Sequence, residues 1–295
     1  MRALTLTVAV ALTGAAFAAT KPQPKTPART YIYSTIAYPG ATTTNAYGIN
    51  KYGEIVGYWT IPYQPIGGFT DDNGTFQNIQ YTSTSSTYAN AINNLGQVAG
   101  SFGNSACTNA DQSCGYVYTD GEFEILNFPG SDSTTASGIN DAGQVVGVYY
   151  DGTNHGYRYQ SGAYEALNFP GATQGTYPGG INESGQIVGH YATFAEEQGF
   201  LYSHGKWQLI EVPGGQGTLA TGINASGQIT GLYDDLEGNY HGFVDTNGVF
   251  VTLDFPGATT TWALGISDTG QVVGFYSGAG CPVNQGCSFL ATPAR

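Results

Sequence analysis

The chain has 295 residues, only 10% of them charged, with 44 Gly, 22 Tyr and a single Met, a composition that suits short strands and tight turns and argues against helices. Its 41% hydrophobic residues suffice for a packed core, which excludes disorder. The formal net charge is −13, and beyond residue 30 only Lys51, Arg158, Lys206 and Arg295 oppose 21 acidic residues, so the body repels phosphate backbones and nucleic acid is excluded as a partner.

In chain order, residues 1–18 have the form of a signal peptide. Arg2 supplies the positive start, Ala3 to Ala16 an apolar stretch, and Ala16-Phe17-Ala18 a cleavage pattern. Residues 19–30 contain the Pro-rich, basic KPQPKTPART, expected to be an extended linker. No later segment has 18 apolar residues in a row, so the mature chain is expected to lack a membrane span. These features predict a secreted or periplasmic protein, and a monomer.

Residues 31–295 repeat one phrase six times: GINKYGEIVG from Gly48, then variants from Ala91, Gly138, Gly180, Gly222 and Gly265. Its isoleucines, Ile49, Ile92, Ile139, Ile181, Ile223 and Ile266, are 43, 47, 42, 42 and 43 residues apart. After each phrase comes a small-residue-plus-aromatic pair, such as Gly156-Tyr157. In most units a segment ending in aromatic-Pro-Gly follows, such as Phe169-Pro170-Gly171.

The third unit therefore predicts four strands, A to D, over Thr135–Asn140, Gln144–Tyr149, Gly156–Gln160 and Ala163–Phe169. N-x-x-G between A and B is turn chemistry, as is Ser161-Gly162 between C and D. Four strands per unit of about 40–45 residues is the pattern of a propeller blade. The last unit lacks its D strand, and Tyr33–Gly40 matches Phe250–Gly257 position for position. The prediction is an all-β, six-bladed β-propeller of four-stranded antiparallel blades, closed by the N-terminal strand completing the last blade. Small residues before each Ile, such as Ala46 and Gly48, place strand A innermost. Pro178 in the fourth unit is expected to disturb that strand's pairing.

Cys107 and Cys114 share one B–C loop, and Cys281 and Cys287 another. These two loops are the longest, so local disulfides closing the two hairpin tips are expected, as an oxidising compartment allows.

GINDAGQVVG, followed by His155-Gly156-Tyr157, resembles the HAF-repeat family of bacterial extracellular proteins, and His241-Gly242-Phe243 matches it too. The resemblance covers all six units. It implies export and β-repeat architecture, and it carries no catalytic residue across.

Nucleophile-elbow, phosphate-loop and zinc-protease motifs are missing, so no catalytic residue is assigned. No cofactor motif is present. Each unit carries an aromatic two positions after the strand-B Gly: Trp59, Phe102, Tyr149, Tyr191, Tyr233 and Tyr276. They read either as interblade packing, the favoured reading, or as stacking platforms for sugars. His190 breaks the repeat, where other units have Tyr58, Ser101, Val148, Leu232 or Phe275.

Variation concentrates in the B–C loops, which share one face with the D–A loops. Tyr63 lies in one such loop, Glu196 and Glu197 in a second, and Asp234 and Asp235 in a third. The acidic groups come from neighbouring blades 4 and 5. They could bind Ca²⁺ or act as paired carboxylates on a glycan; surface solvation is the blander reading. Asn73-Gly-Thr, Asn182-Glu-Ser and Asn224-Ala-Ser match a glycosylation pattern that turn chemistry alone would also produce.

The candidate ligand-binding set is Trp59, Tyr63, His190, Tyr191, Glu196, Glu197, Tyr233, Asp234 and Asp235. The leading expectation is a binding module for a glycan or protein on the B–C/D–A face. A propeller hydrolase or lyase acting on polysaccharide or lactone is the alternative, and a structural cell-surface repeat the second alternative.

Overall fold

A computed structural model describes residues 30–103, 113–282 and 287–294. Residues 1–29, where a signal peptide and most of a linker are expected, and Cys107 lie outside the described residues.

Each N-x-x-G phrase closes a tight turn. In the third unit the Gly143 N–H donates to the Asn140 carbonyl at 3.0 Å, and Gly143 takes a φ of +71°. Asn140 Oδ1 accepts from the Gln144 N–H at 3.0 Å. The strands on either side are A (Ser133–Ile139), B (Val145–Tyr150), C (Asn154–Gln160) and D (Ala163–Leu167). Blade 4 is built from Gly175–Ile181, Ile187–Ala192, Glu197–Ser203 and Lys206–Ile210. Blade 5 is built from Gly217–Ile223, Ile229–Asp234, Tyr240–Thr246 and Val249–Leu253.

Six such four-stranded antiparallel sheets form a six-bladed β-propeller. The sixth is completed by the N-terminal strand Tyr31–Ile36, which pairs with the last strand, Cys287–Pro293. Their register runs from Tyr31↔Pro293 to Ile36↔Ser288.

Strand A lies innermost, and the small residues there are required by space. A Cβ on Gly48 would fall 2.9 Å from the Ala91 Cα of the next blade. Every A–B pair also carries a register shift at one place, between Ala46 and Gly48 or their equivalents. Pro178 sits at this bulge, on an edge strand, and pairs with Gly189. Pro is tolerated at both places, so the expected disturbance does not occur.

Three repeated devices join neighbouring blades. The aromatic-Pro-Gly turn has its Gly at positive φ (Gly171, +95°) and an i+3 hydrogen bond, from the Ala172 N–H to the Phe169 carbonyl at 3.1 Å. The aromatic before the Pro stacks on the strand-B aromatic of the next blade, as in Phe128–Tyr149 (3.7 Å), Phe169–Tyr191 (3.9 Å) and Phe255–Tyr276 (3.7 Å). A buried Thr early in strand A accepts from that aromatic's N–H, as Thr134 does from Phe128 at 2.9 Å.

The third device circles the axis. Asn50 Nδ2 donates to the Asn93 carbonyl, Asn93 to Asn140, Asn140 to Asn182, Asn182 to Asn224, and Asn224 to Ser267. These amides are buried, so each bond is made away from water.

Cys281 and Cys287 form the expected disulfide at one hairpin tip. Cys114 is disulfide-bonded, and the expected pairing with Cys107 lies outside the described residues.

Candidate functional site

In blades 4 and 5 the B–C and D–A loops meet on one face, and between these blades that face opens into a groove of about 370 Å³. Blade 4 supplies its B–C turn. The Thr193 N–H donates to the Glu196 carbonyl at 2.9 Å, and Thr193 Oγ1 accepts from the N–H groups of Ala195 (3.2 Å) and Glu196 (3.1 Å). This tight closure pushes Phe194 outward, and the ring is 87% exposed. An aromatic ring held so far into water is a candidate contact surface.

Blade 5 supplies the opposite wall. Asp234 pairs with Gly217 on one side and Tyr240 on the other. A Cβ at Gly217 would fall 2.7 Å from Asp234 Oδ1, so glycine there leaves space for the carboxylate. Tyr240 is 40% exposed, and its ring is tilted against Trp262 at 5.6 Å. Gln216 and Leu219 complete the lining.

Of the sequence-predicted residues, Glu196, Glu197 and Asp234 share this groove. Tyr191 is buried against Phe169, yet it acts on the groove at one remove: its hydroxyl donates to Gln198 Oε1 at 3.2 Å, and Gln198 Nε2 donates to Glu196 Oε2 at 3.2 Å. Tyr191 is therefore linked to the groove through Gln198.

The other predicted residues are placed elsewhere. Trp59 is buried, stacked on Tyr38 at 5.2 Å, with its Nε1 donating to Asn78. It offers no open face, so its reading as a ligand platform is corrected to interblade packing. Tyr63 is fully exposed, on a loop of blade 1. Tyr233 is half-buried, with its ring over His241 at 5.3 Å and its hydroxyl 3.1 Å from Thr252 Oγ1. It differs from its counterparts because Val212 stands where the stacking aromatic should be.

His190 lies outside the groove lining, stacked on Tyr177 at 4.7 Å. Burial pushes its pKa down to about 4, which leaves a neutral ring at pH 7. Asp235 is also turned away. It accepts from Asn239 Nδ2 (2.9 Å), Asn239 N (2.8 Å) and Glu237 N (2.9 Å), and Asn239 holds its carboxyl well below the usual range.

His241, which lies outside the candidate set, bridges two carboxylates, with Nδ1 2.8 Å from Asp254 and Nε2 3.2 Å from Asp235. Burial lowers its pKa, but the bonds to Asp254 and Asp235 outweigh this and raise it. Both ring nitrogens are engaged, so the arrangement ties the B–C loop to the segment just after strand D. Asn182 and Asn224 are buried within the axial amide ring, which removes them as glycosylation acceptors. Among the described residues, no three His, Cys, Asp or Glu side chains come together to hold a metal ion.

No family model and no curated protein sequence matches the chain. Solved structures do match. TolB from Acinetobacter baumannii aligns with a TM-score of 0.59 at 12% identity, over 82% of this chain and 65% of its own. XC5397 from Xanthomonas campestris, described as a gluconolactonase, aligns with a TM-score of 0.53 at 14% identity, over 90% and 92%. A triple arginine-to-alanine mutant of AofleA from Arthrobotrys oligospora aligns with a TM-score of 0.50 at 12% identity, over 85% and 84%. These likenesses are to the fold. At such identities the site must be read from its own residues.

Proposed function

We propose that this protein is an exported, non-enzymatic binding module that takes a neutral glycan in the groove between blades 4 and 5. The observation that carries this reading is the lining itself. Exposed rings of Phe194 and Tyr240 share one groove with Glu196, Glu197, Asp234 and Gln216. The apolar faces of a sugar suit such rings, and its hydroxyls suit acceptors and amides. The volume of about 370 Å³ falls within the small-ligand range of roughly 300–1,000 Å³. Three carboxylates disfavour an acidic sugar.

Export is supported by the signal-like start, the Cys281–Cys287 disulfide and the repeat's resemblance to the HAF-repeat family. Among the described residues, no helix is long and apolar enough to cross a membrane. We propose a monomer with Glu196, Glu197 and Asp234 as hydrogen-bonding groups. The lactone- or polysaccharide-cleaving alternative would draw its acid–base pair from Glu196, Glu197 and Asp234, since His190 stands outside the groove.

A glycan array with calcium and chelator arms, followed by calorimetry, tests the proposal. Neutral glycans are expected to bind in both arms, and F194A and Y240A each to weaken binding about tenfold. Silence across the array, or unchanged binding by both variants, overturns the reading. Release of sugar or opening of a lactone that E196Q and D234N abolish would replace it with the enzyme reading.

A further inference from the structure

The same pair of blades opens a second, larger groove on the opposite face, where the A–B and C–D turns lie. Its volume is about 610 Å³. The repeat explains its origin. Strand C carries Tyr118, Tyr159 and Tyr202 in blades 2, 3 and 4, but Asp245 at the same position in blade 5.

Tyr159 shows what a tyrosine at that position does at the junction of blades 2 and 3. Its ring is buried, 4.8 Å from Tyr164, in a cluster with Val117 and Val145. Its hydroxyl reaches across to the preceding blade and donates to Glu124 Oε1 at 2.5 Å. One junction is thus filled by a phenol with an acceptor waiting for its hydroxyl.

At the 4/5 junction the equivalents of Val117, Glu124, Val145 and Tyr164 are Leu201, Gln208, Ile229 and Phe250. All four line the groove. The walls are therefore kept while the filling is missing. Asp245 does not replace it, because its carboxylate turns back to accept from the Gly248 N–H at 2.7 Å. At the 6/1 junction, where Asp71 makes the same exchange, Ser34 stands at the Gln208 position and offers no long amide.

We infer that this groove is a binding site for an aryl-hydroxyl group, which enters from outside as Tyr159 does from within, its ring between Leu201 and Phe250 and its hydroxyl on Gln208. The ligand is a free phenol or a tyrosyl side chain of a peptide, two sources of one chemistry. A volume within the range of roughly 300–1,000 Å³ for small-ligand sites admits either.

Ligand-observed NMR and calorimetry on the whole protein provide the test, with p-cresol, toluene and a capped Gly-Tyr-Gly peptide as probes. The expected result is binding of p-cresol or of the peptide, the tighter of the two identifying the source. The Q208L variant should weaken that binding about five- to tenfold, towards the level of toluene. D245Y restores the repeat's own filling and should abolish binding. If D245Y does not fold, Q208L carries the test alone. Absence of binding by both hydroxylated probes up to about 10 mM overturns the inference. So does toluene binding as well as p-cresol, or undiminished binding by a folded D245Y.

Discussion

Tyr116 and Tyr157 hold the same place in adjacent blades, and both are fully buried. Their hydroxyls differ. Tyr116 donates to the Tyr88 carbonyl at 3.0 Å, whereas the Tyr157 hydroxyl has no hydrogen-bond partner among the described residues. The other four blades use Phe69, Phe200, Phe243 and Phe289 there. Tyr157→Phe is therefore expected to stabilise the protein by about 1 kcal/mol, and Tyr116→Phe to cost about as much, in denaturant melts. His190 gives a pH test. Its folded pKa of about 4 lies below the unfolded value of roughly 6.5. The unfolded chain thus binds the extra proton between these values, and stability falls as pH drops from roughly 6.5 towards 4. His190→Phe, which takes the residue found at 275, should flatten that part of the curve in thermal melts at several pH values.

The amide ring around the axis is five bonds long because blade 6 has Ser267 in place of Asn. The Ser267 hydroxyl accepts from the Gln271 N–H at 3.1 Å and does not reach Asn50. Ser267→Asn is expected to complete the circle and add about 1 kcal/mol, while Asn182→Ala, which leaves buried partners unpaired, costs about 2–3 kcal/mol. Much of this element-level order was legible. Asn and Gly at fixed spacing specify a turn locally, so the period, the strand order and the missing last strand could be counted along the chain. The bulge in strand A and the Thr hydroxyls that accept from Phe128 and Phe169 were not, because each depends on a partner across a turn or loop. The two grooves were half legible. Acidic residues in the B–C loops pointed to Glu196, Glu197 and Asp234. The Tyr-to-Asp exchange at 245 gave equal warning, but its meaning needed the neighbouring blade's wall.

At the scale of the whole ring, the junction between blades 6 and 1 is the only one bridged by no amide of the axial series among the described residues. It has a substitute. Where five blades carry Gly in strand C, blade 6 carries Ser288. Its fully buried hydroxyl donates to the Thr44 carbonyl at 2.8 Å and accepts from the Ala46 N–H at 2.8 Å. Ser288→Gly is expected to cost about 1–3 kcal/mol and to speed hydrogen exchange first in Tyr31–Ile36.

The Ala294 N–H donates to the Thr30 carbonyl at 2.8 Å, so the first and last described backbone groups are already touching. A circle joined in this way has no privileged starting point. The gene could be reopened at the exposed Ser161-Gly162 turn and residues 30 and 294 joined by a short linker. Such a permutant should fold to the same shape, which its circular-dichroism spectrum and melting cooperativity would report.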